Sequence, residues 1–231
     1  MVTAGEPAGL QVAGLRYRLG ERVLLDGVDL GVEPGESVAV VGPSGSGKST
    51  LLMCILGLIE ADAGTVRVHG RELAGLPARQ KAQVRREHVG TVFRSGELLP
   101  ELTPLENVAL PVLLGGGDYH AAYRRAAELL TELGVSQEET PTGTLSCDER
   151  QCIAVARALV TDPQVLLADE PTGSLGPQAR EAVADLLFAA AQERGCALLV
   201  VTDDPAVAAR AGRTLRLEAG VLTDAGSGVG A

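Results

Sequence analysis

The segment Val38-Ala39-Val40-Val41-Gly42-Pro43-Ser44-Gly45-Ser46-Gly47-Lys48-Ser49-Thr50 constrains the fold of this chain more than any other. A short apolar run leads into G-x-x-x-x-G-K-S, and a helical stretch, Leu51–Leu58, follows. A glycine-rich loop between a buried strand and a helix aims several backbone N–H groups at one point. The helix dipole adds positive potential there, so the loop is a phosphate cradle. Lys48 is placed to reach the β- and γ-phosphates of a nucleotide, and the Ser49 hydroxyl to ligate Mg²⁺. Gly42, Pro43, Ser44, Gly45, Ser46, Gly47 and Thr50 complete the expected nucleotide contacts. In a chain with 29 glycines the glycine spacing alone means little. The strand before the loop and the helix after it give the spacing its meaning.

Composition narrows the class. At 231 residues the chain can bury a full core, as one domain or one domain with an insertion. Aromatic residues make up only 2%, so the core must be aliphatic. A formal charge of −10 argues against nucleic acid as a partner. No apolar run approaches the ~18–20 residues needed to span a bilayer. The N-terminus lacks a basic region followed by an apolar stretch, so no signal peptide is expected. Cys54, Cys147, Cys152 and Cys196 show no C-x-x-C spacing and read as reduced, mostly buried thiols of a cytoplasmic protein.

Periodicity gives the element order. Leu10–Tyr17 and Val23–Val32 read as antiparallel strands ahead of the glycine-rich loop, and Thr65–Val68 as another short strand. Pro77 opens a basic helix, Ala78–His88, whose arginines read as a solvated face more readily than as an anion site. Val89–Phe93 is strand-like. Thr103-Pro104-Leu105-Glu106 is a helix start with a capping box. Asp118 begins a second helix with Ala122, Ala126, Leu129, Leu130 and Leu133 on its apolar face, closed by Gly134. Residues 94–145 thus form a helical insertion, and Ser146–Val160 a further helix. Gln164–Ala168 and Ala197–Val201 are short buried strands flanking a helix over Pro177–Arg194, with Val183, Leu186, Leu187 and Ala190 inward. This alternation predicts an α/β fold, a mainly parallel sheet covered by helices, with an N-terminal antiparallel β subdomain. The expected organisation is one domain over 1–224, its helical subdomain at about 94–160, with a disordered glycine-rich tail at 225–231.

Leu166-Leu167-Ala168-Asp169-Glu170 is an apolar strand ending in two carboxylates. At a phosphate-binding loop an aspartate at a strand tip holds Mg²⁺, usually through water. The adjacent Glu170 is placed to accept a proton from an attacking water. With these residues, and with Pro171-Thr172-Gly173 after them, the chain resembles the ATP-binding subunit of an ABC transporter along nearly its whole length. The run Leu98-Leu99-Pro100-Glu101-Leu102-Thr103 … Glu106-Asn107-Val108-Ala109-Leu110-Pro111 narrows the resemblance to the branch serving lipoprotein release and macrolide export. The resemblance implies a P-loop NTPase fold, with ATP and Mg²⁺ as nucleotide and cofactor. It implies an integral membrane permease as partner, and pairing with a second ATP-binding subunit, as homodimer or heterodimer. It also implies a peripheral place on the cytoplasmic face of the membrane. Tyr17 stands where the family sets an aromatic against adenine.

The chain departs from that family where two subunits close on one nucleotide. The family's L-S-G-G-[EQ] signature is here Leu145-Ser146-Cys147-Asp148-Glu149. Ser146 is kept, but Cys147 and Asp148 replace glycines that let backbone approach phosphate. The run reads better as a plain helix start, with Ser146 and Glu149 as a capping box. The family's glutamine after the Val-Phe strand is Arg94, which has no lone pair for a metal but can touch a phosphate or pair with Glu170. Its aspartate after Ser174-Leu175 is Gly176, and its histidine after Val201-Thr202 is Asp203. Nucleotide binding is therefore expected to survive better than turnover. The chain reads as a permease-coupled ATPase with impaired hydrolysis. The alternative is a regulatory or structural ATP-binding subunit paired with an intact homologue. A third class, a P-loop protein without a permease, is disfavoured by the Leu98–Pro111 run. Residues 94–115, with Leu98, Leu99, Leu110, Leu113 and Leu114, read equally well as a permease-docking surface and as the insertion's own core.

Overall fold

A computed structural model describes residues 9–135 and 139–225 of the chain. Its strands are β1 (Leu10–Leu19), β2 (Arg22–Val32), β3 (Ser37–Val41), β4 (Ala63–Val68), β5 (Arg71–Glu72), β6 (Val89–Phe93), β7 (Val165–Asp169), β8 (Ala197–Val201), β9 (Arg213–Glu218) and β10 (Val221–Asp224). Its helices are α1 (Lys48–Ile55), α2 (Ala78–His88), α3 (Pro104–Leu114), α4 (Tyr119–Glu132), α5 (Cys147–Leu159), α6 (Pro177–Glu193) and α7 (Pro205–Ala208).

Two sheets result. The larger has six strands in the order β10-β9-β3-β8-β7-β6 and is parallel except for the β9–β10 hairpin. Its central strands are continuous apolar runs, and β8 is buried at every residue. A strand covered on both faces must read that way, whereas β1 begins with buried and exposed residues in alternation. The smaller sheet, β2-β1-β4-β5, is antiparallel.

The two faces of β7 define two cores. Val165 and Leu167 join a cluster with β1, β2, β3, β4 and α1. Leu166 and Ala168, one residue out of phase, join a second cluster with α3, α4, α5 and α6. The period of two along one strand thus ties the antiparallel sheet to one side of the large sheet and the helical insertion to the other.

Local signals fix the helix ends. Thr103 caps α3 with a complete capping box to Glu106, as its sequence requires. Asp118 caps α4, whose buried face is Ala122, Ala126, Leu129 and Leu130. Gly134 and Gly195 end their helices at φ 67 and 64, in the left-handed region that glycine tolerates.

The C-terminal part of the sheet lacks a sequence signal of the usual kind. Strands β9 and β10 join through Ala219-Gly220, both at positive φ, a two-residue turn of the I′ sort. An alanine there hides the turn from a reading that looks for Asn-Gly. The expected tail at 225–231 lies outside the described residues except for Ala225, whose N–H donates to Thr214 O. The thiols also differ from expectation: Cys54 and Cys196 are buried, but Cys152 is half-buried and Cys147 exposed.

Residues 94–115 divide between the two readings. Val108 and Ala109 are fully buried and Leu98, Leu105, Val112 and Leu113 pack on the second core. Leu99 and Leu114 are exposed. The stretch is anchored by Asn107, which is wholly buried. Its Oδ1 accepts from Leu99 N at 2.9 Å, and its Nδ2 donates to Leu99 O at 3.0 Å and Thr142 Oγ1 at 3.2 Å. Replacing Asn107 with Ala strands these buried partners. The expected cost is about 2–3 kcal/mol, read from the urea unfolding midpoint of the variant against wild type.

Candidate functional site

Strand β3 ends at Val41 and α1 begins at Lys48; the six residues between them form the glycine-rich loop. Gly47, at φ 105, is the N-cap of α1. A Cβ at Gly47 would meet Leu24 O of β2 at 2.7 Å, and one at Gly42 would collide with Leu217 O of β9. Glycine therefore lets the loop lie directly against two strand backbones. Pro43, Ser44, Gly45 and Ser49 face solvent, and Ser46 and Thr50 are half-buried. The Ser46 Oγ atom is itself buried and lacks a partner among the described residues.

Lys48 is the buried cation of the site. Its Nζ donates to Gly42 O at 2.7 Å and Pro43 O at 3.3 Å, and stands 3.9 Å from Glu170 Oε1. Ser49 Oγ donates to Asp169 Oδ1 at 3.1 Å. Asp169 ends β7, in register with Phe93 of β6 and Val201 of β8, so three strand tips meet here. Burial pushes the Asp169 carboxyl above the usual carboxylate range, while Ser49, Lys48 and Arg94 pull it down.

Glu170 sits at φ 46, a left-handed conformation uncommon for a side chain of its size. Its N–H donates to Val201 O, which fixes it beside β8. Its Oε2 accepts from Thr202 Oγ1 and from Asp203 N, each at 3.3 Å. Burial is the main force raising its pKa, and the Asp203 charge adds to it. The Asp203 N–H, Lys48 and Thr202 act in the opposite sense. Thr202 is fully buried. Its one sequence signal is a hydroxyl directly after an apolar strand.

The departures from the family pattern each take a specific form. Arg94 does not pair with Glu170; its Nη2 donates to Gly173 O at 3.0 Å. Ser146 caps α5 through a complete capping box: Glu149 Oε2 accepts from Ser146 N at 2.9 Å and from Ser146 Oγ at 2.7 Å. Cys147 and Asp148 are exposed beside it, and Arg150 Nη2 donates to Cys147 Sγ at 3.2 Å. Gly176 is the N-cap of α6 and gives it no side-chain cap. Asp203 turns its side chain to solvent, and Asp204 caps α7 and pairs with Arg180 at 2.9 Å.

The structure gathers Lys48, Ser49, Asp169, Glu170, Thr202, Asp203 and Arg94. It keeps two sequence candidates apart from them. Tyr17 stands half-buried on β1, in register with Leu25 and one strand beyond the loop's neighbour Leu24. Residues 146–149 share no hydrogen bond or ion pair with residues 42–50 among the described residues.

A family model described as ABC transporter matches residues 25–173. The chain belongs to the ABC transporter family. The lipoprotein-releasing system ATP-binding protein LolD of Chromohalobacter salexigens is 43% identical over 211 residues, covering 90% of this chain and 89% of the relative. An uncharacterized ABC transporter ATP-binding protein of Escherichia coli K12, YbbA, is 44% identical over 205 residues, covering 88% and 90%. Among solved structures, the dimeric post-hydrolysis state of the ATP-binding cassette MJ0796, bound to ADP and Pi, superposes with a TM-score of 0.82. That cassette is 33% identical, with 92% of this chain and 96% of the other covered. The chain folds as a P-loop NTPase of the ATP-binding cassette type, with the antiparallel subdomain and helix-covered sheet its sequence implies.

The residues present fit ATP and Mg²⁺. The loop holds left-handed glycines, a buried ammonium and an unpartnered buried hydroxyl, and Ser49 with Asp169 offers the hard oxygens that Mg²⁺ takes. The raised pKa of Glu170 has a consequence for stability. A carboxylate whose folded-state pKa exceeds its unfolded value binds its proton more tightly in the fold. Its ionised form thus lowers stability as pH rises through the folded pKa, and the penalty is absent below the unfolded one. Glu170→Gln is expected to melt higher than wild type at about pH 8, with the gap closing towards about pH 4. Thermal melts of both proteins across that range check the sign.

Proposed function

We infer that this chain is the ATP-binding subunit of a membrane transporter, coupled to a permease, and that it turns ATP over slowly by itself. The observation that carries the second half is the N-terminus of α5. A helix start attracts phosphate through its free N–H groups and its dipole. Here the Glu149 carboxylate already engages Ser146 N and Oγ, and Asp148 adds a second exposed carboxylate. Both carboxylates are exposed, so solvent screens but does not remove their repulsion of a phosphate. A phosphate delivered to this terminus by a second copy meets repulsion in place of a cradle.

The nucleotide half of the site supports binding. Lys48 supplies the buried cation, and the loop 42–47 the backbone donors. Bound Mg²⁺ would rest on Ser49 and Asp169 and neutralise phosphate charge. Glu170, held by Thr202 and the Asp203 N–H, is positioned as the base that takes a proton from water. Burial raises its affinity for the proton, which suits a proton acceptor. Tyr17, on β1 one strand beyond the loop's neighbour Leu24, is the candidate to stack on adenine.

Coupling to a permease rests on similarity to LolD and on a groove of about 460 Å³ between α2, β6 and α3. Leu56, Leu58, Val89, Phe93, Leu110 and Leu114 supply its apolar wall. This apolar surface suits a partner's helix. It would hold the chain on the cytoplasmic face of a membrane, since no helix among the described residues is long and apolar enough to cross one.

A regulatory or structural role beside an intact homologue is the second reading, favoured by the same α5 terminus. A partner with glycines in its signature would repair the contact with this chain's loop. It would leave Arg94 and Asp203 as they are. Steady-state phosphate release separates these possibilities. The purified chain is expected to turn over at least about tenfold more slowly than Cys147→Gly/Asp148→Gly. Equal and brisk rates in both proteins, abolished by Glu170→Gln, would show that the α5 terminus does not limit hydrolysis. For the partner, Leu114→Glu is expected to release the chain from membranes that contain its permease, as read by fractionation.

A further inference from the structure

Of the two gathered residues that depart from the family pattern, Arg94 and Asp203, Arg94 is the one that brings a cation. It follows Phe93, which pairs in register with Asp169 across β6 and β7. The guanidinium is therefore set at the strand tips, next to the carboxylate that Ser49 contacts. Its seat is specific. Gly173 N donates to Glu170 O and closes a turn whose carbonyl receives Arg94 Nη2 at 3.0 Å. A Cβ at residue 173 would lie 3.1 Å from Arg94 Nε, so glycine at that position gives the guanidinium room to lie flat on the turn. The remaining guanidinium N–H groups have no partner among the described residues, and the side chain is exposed.

A second fixed cation changes the electrostatics of the site. Lys48 is committed to Gly42 O and Pro43 O, with Glu170 nearby. The one hydrogen bond that Arg94 makes among the described residues is to a neutral carbonyl, so its charge is left for an incoming anion. Planar guanidinium suits phosphate oxygens, since it presents donors in pairs. The same charge opposes a divalent cation at Ser49 and Asp169.

We propose that Arg94 takes over part of the charge neutralisation that Mg²⁺ otherwise provides, so that this chain holds a nucleoside triphosphate with weakened dependence on the metal. The inference rests on the reading of the loop as a nucleotide site. It concerns affinity alone and does not require hydrolysis.

The test uses calorimetric binding of a non-hydrolysable ATP analogue to the full chain, in Mg²⁺ and in EDTA at matched ionic strength. Wild type is expected to lose less than about threefold in affinity when the metal is removed, and Arg94→Gln about tenfold or more. Arg94→Lys keeps the charge without the planar fork and is expected to fall between them. Equal metal dependence in wild type and Arg94→Gln would overturn the proposal and leave Arg94 as a brace for the 170–173 turn. Binding by none of the proteins, and none altered by Lys48→Ala, would overturn the nucleotide reading itself, and this inference with it.

Discussion

The register of four parallel strands is the constraint on which the site depends. Val40 aligns with Val201, Val201 with Asp169, and Asp169 with Phe93. Each chain segment that leaves the sheet at this edge delivers part of the site. β3 gives the glycine-rich loop and Lys48, β7 gives Asp169 and Glu170, β8 gives Thr202 and Asp203, and β6 gives Arg94. A slip of one residue in any pair would invert that strand's faces and send its apolar residues to the wrong core. The apolar runs on both sides make such a slip costly. The chemistry is thus aligned by packing far from it.

Charge is the second organising quantity. The site holds buried or half-buried carboxylates at Asp169 and Glu170, an exposed one at Asp203, and cations at Lys48 and Arg94. Burial alone would favour neutral acids, as the upward pKa shifts of Asp169 and Glu170 record. Lys48 offsets this from within the loop. Asp203 plays two parts on Glu170, since its N–H favours the carboxylate and its side-chain charge opposes it. A histidine there would lack the opposing charge when neutral. An aspartate at this position therefore acts on Glu170 through electrostatics, without displacing it.

Much of this was legible in the sequence because the relevant signals are local. A phosphate loop declares itself by glycine spacing between a β-branched run and a helix, and α3 by Thr103, Pro104 and Glu106 in consecutive roles. The reading of residues 145–149 as a helix start rather than a phosphate clamp rests on Ser146 and Glu149, and both hydrogen bonds of that box are present. What escaped was non-local or carried by atypical residues. The β9–β10 turn uses Ala219 where asparagine would have announced it. Thr202 gains its role from a carboxylate 32 residues earlier in the chain, and Arg94 finds a carbonyl 79 residues later. No periodicity encodes such pairings. The leucines of 94–115 were ambiguous because the stretch contains both kinds, and only the three-dimensional position of each separates them.

The sharing of β7 between two cores has a mechanical consequence. The strand is gripped from one face by the antiparallel sheet and α1, and from the other by the helical insertion and α6. Neither half can shed its hold on β7 without exposing aliphatic surface to water. A displacement of α3 and α4 that kept both cores packed would leave β7 where it is, since the strand is also hydrogen-bonded to β6 and β8 along its two edges. Asp169 and Glu170, at the end of that strand, thus sit on the best-anchored segment of the sheet, while exposed Leu114 lies at the periphery.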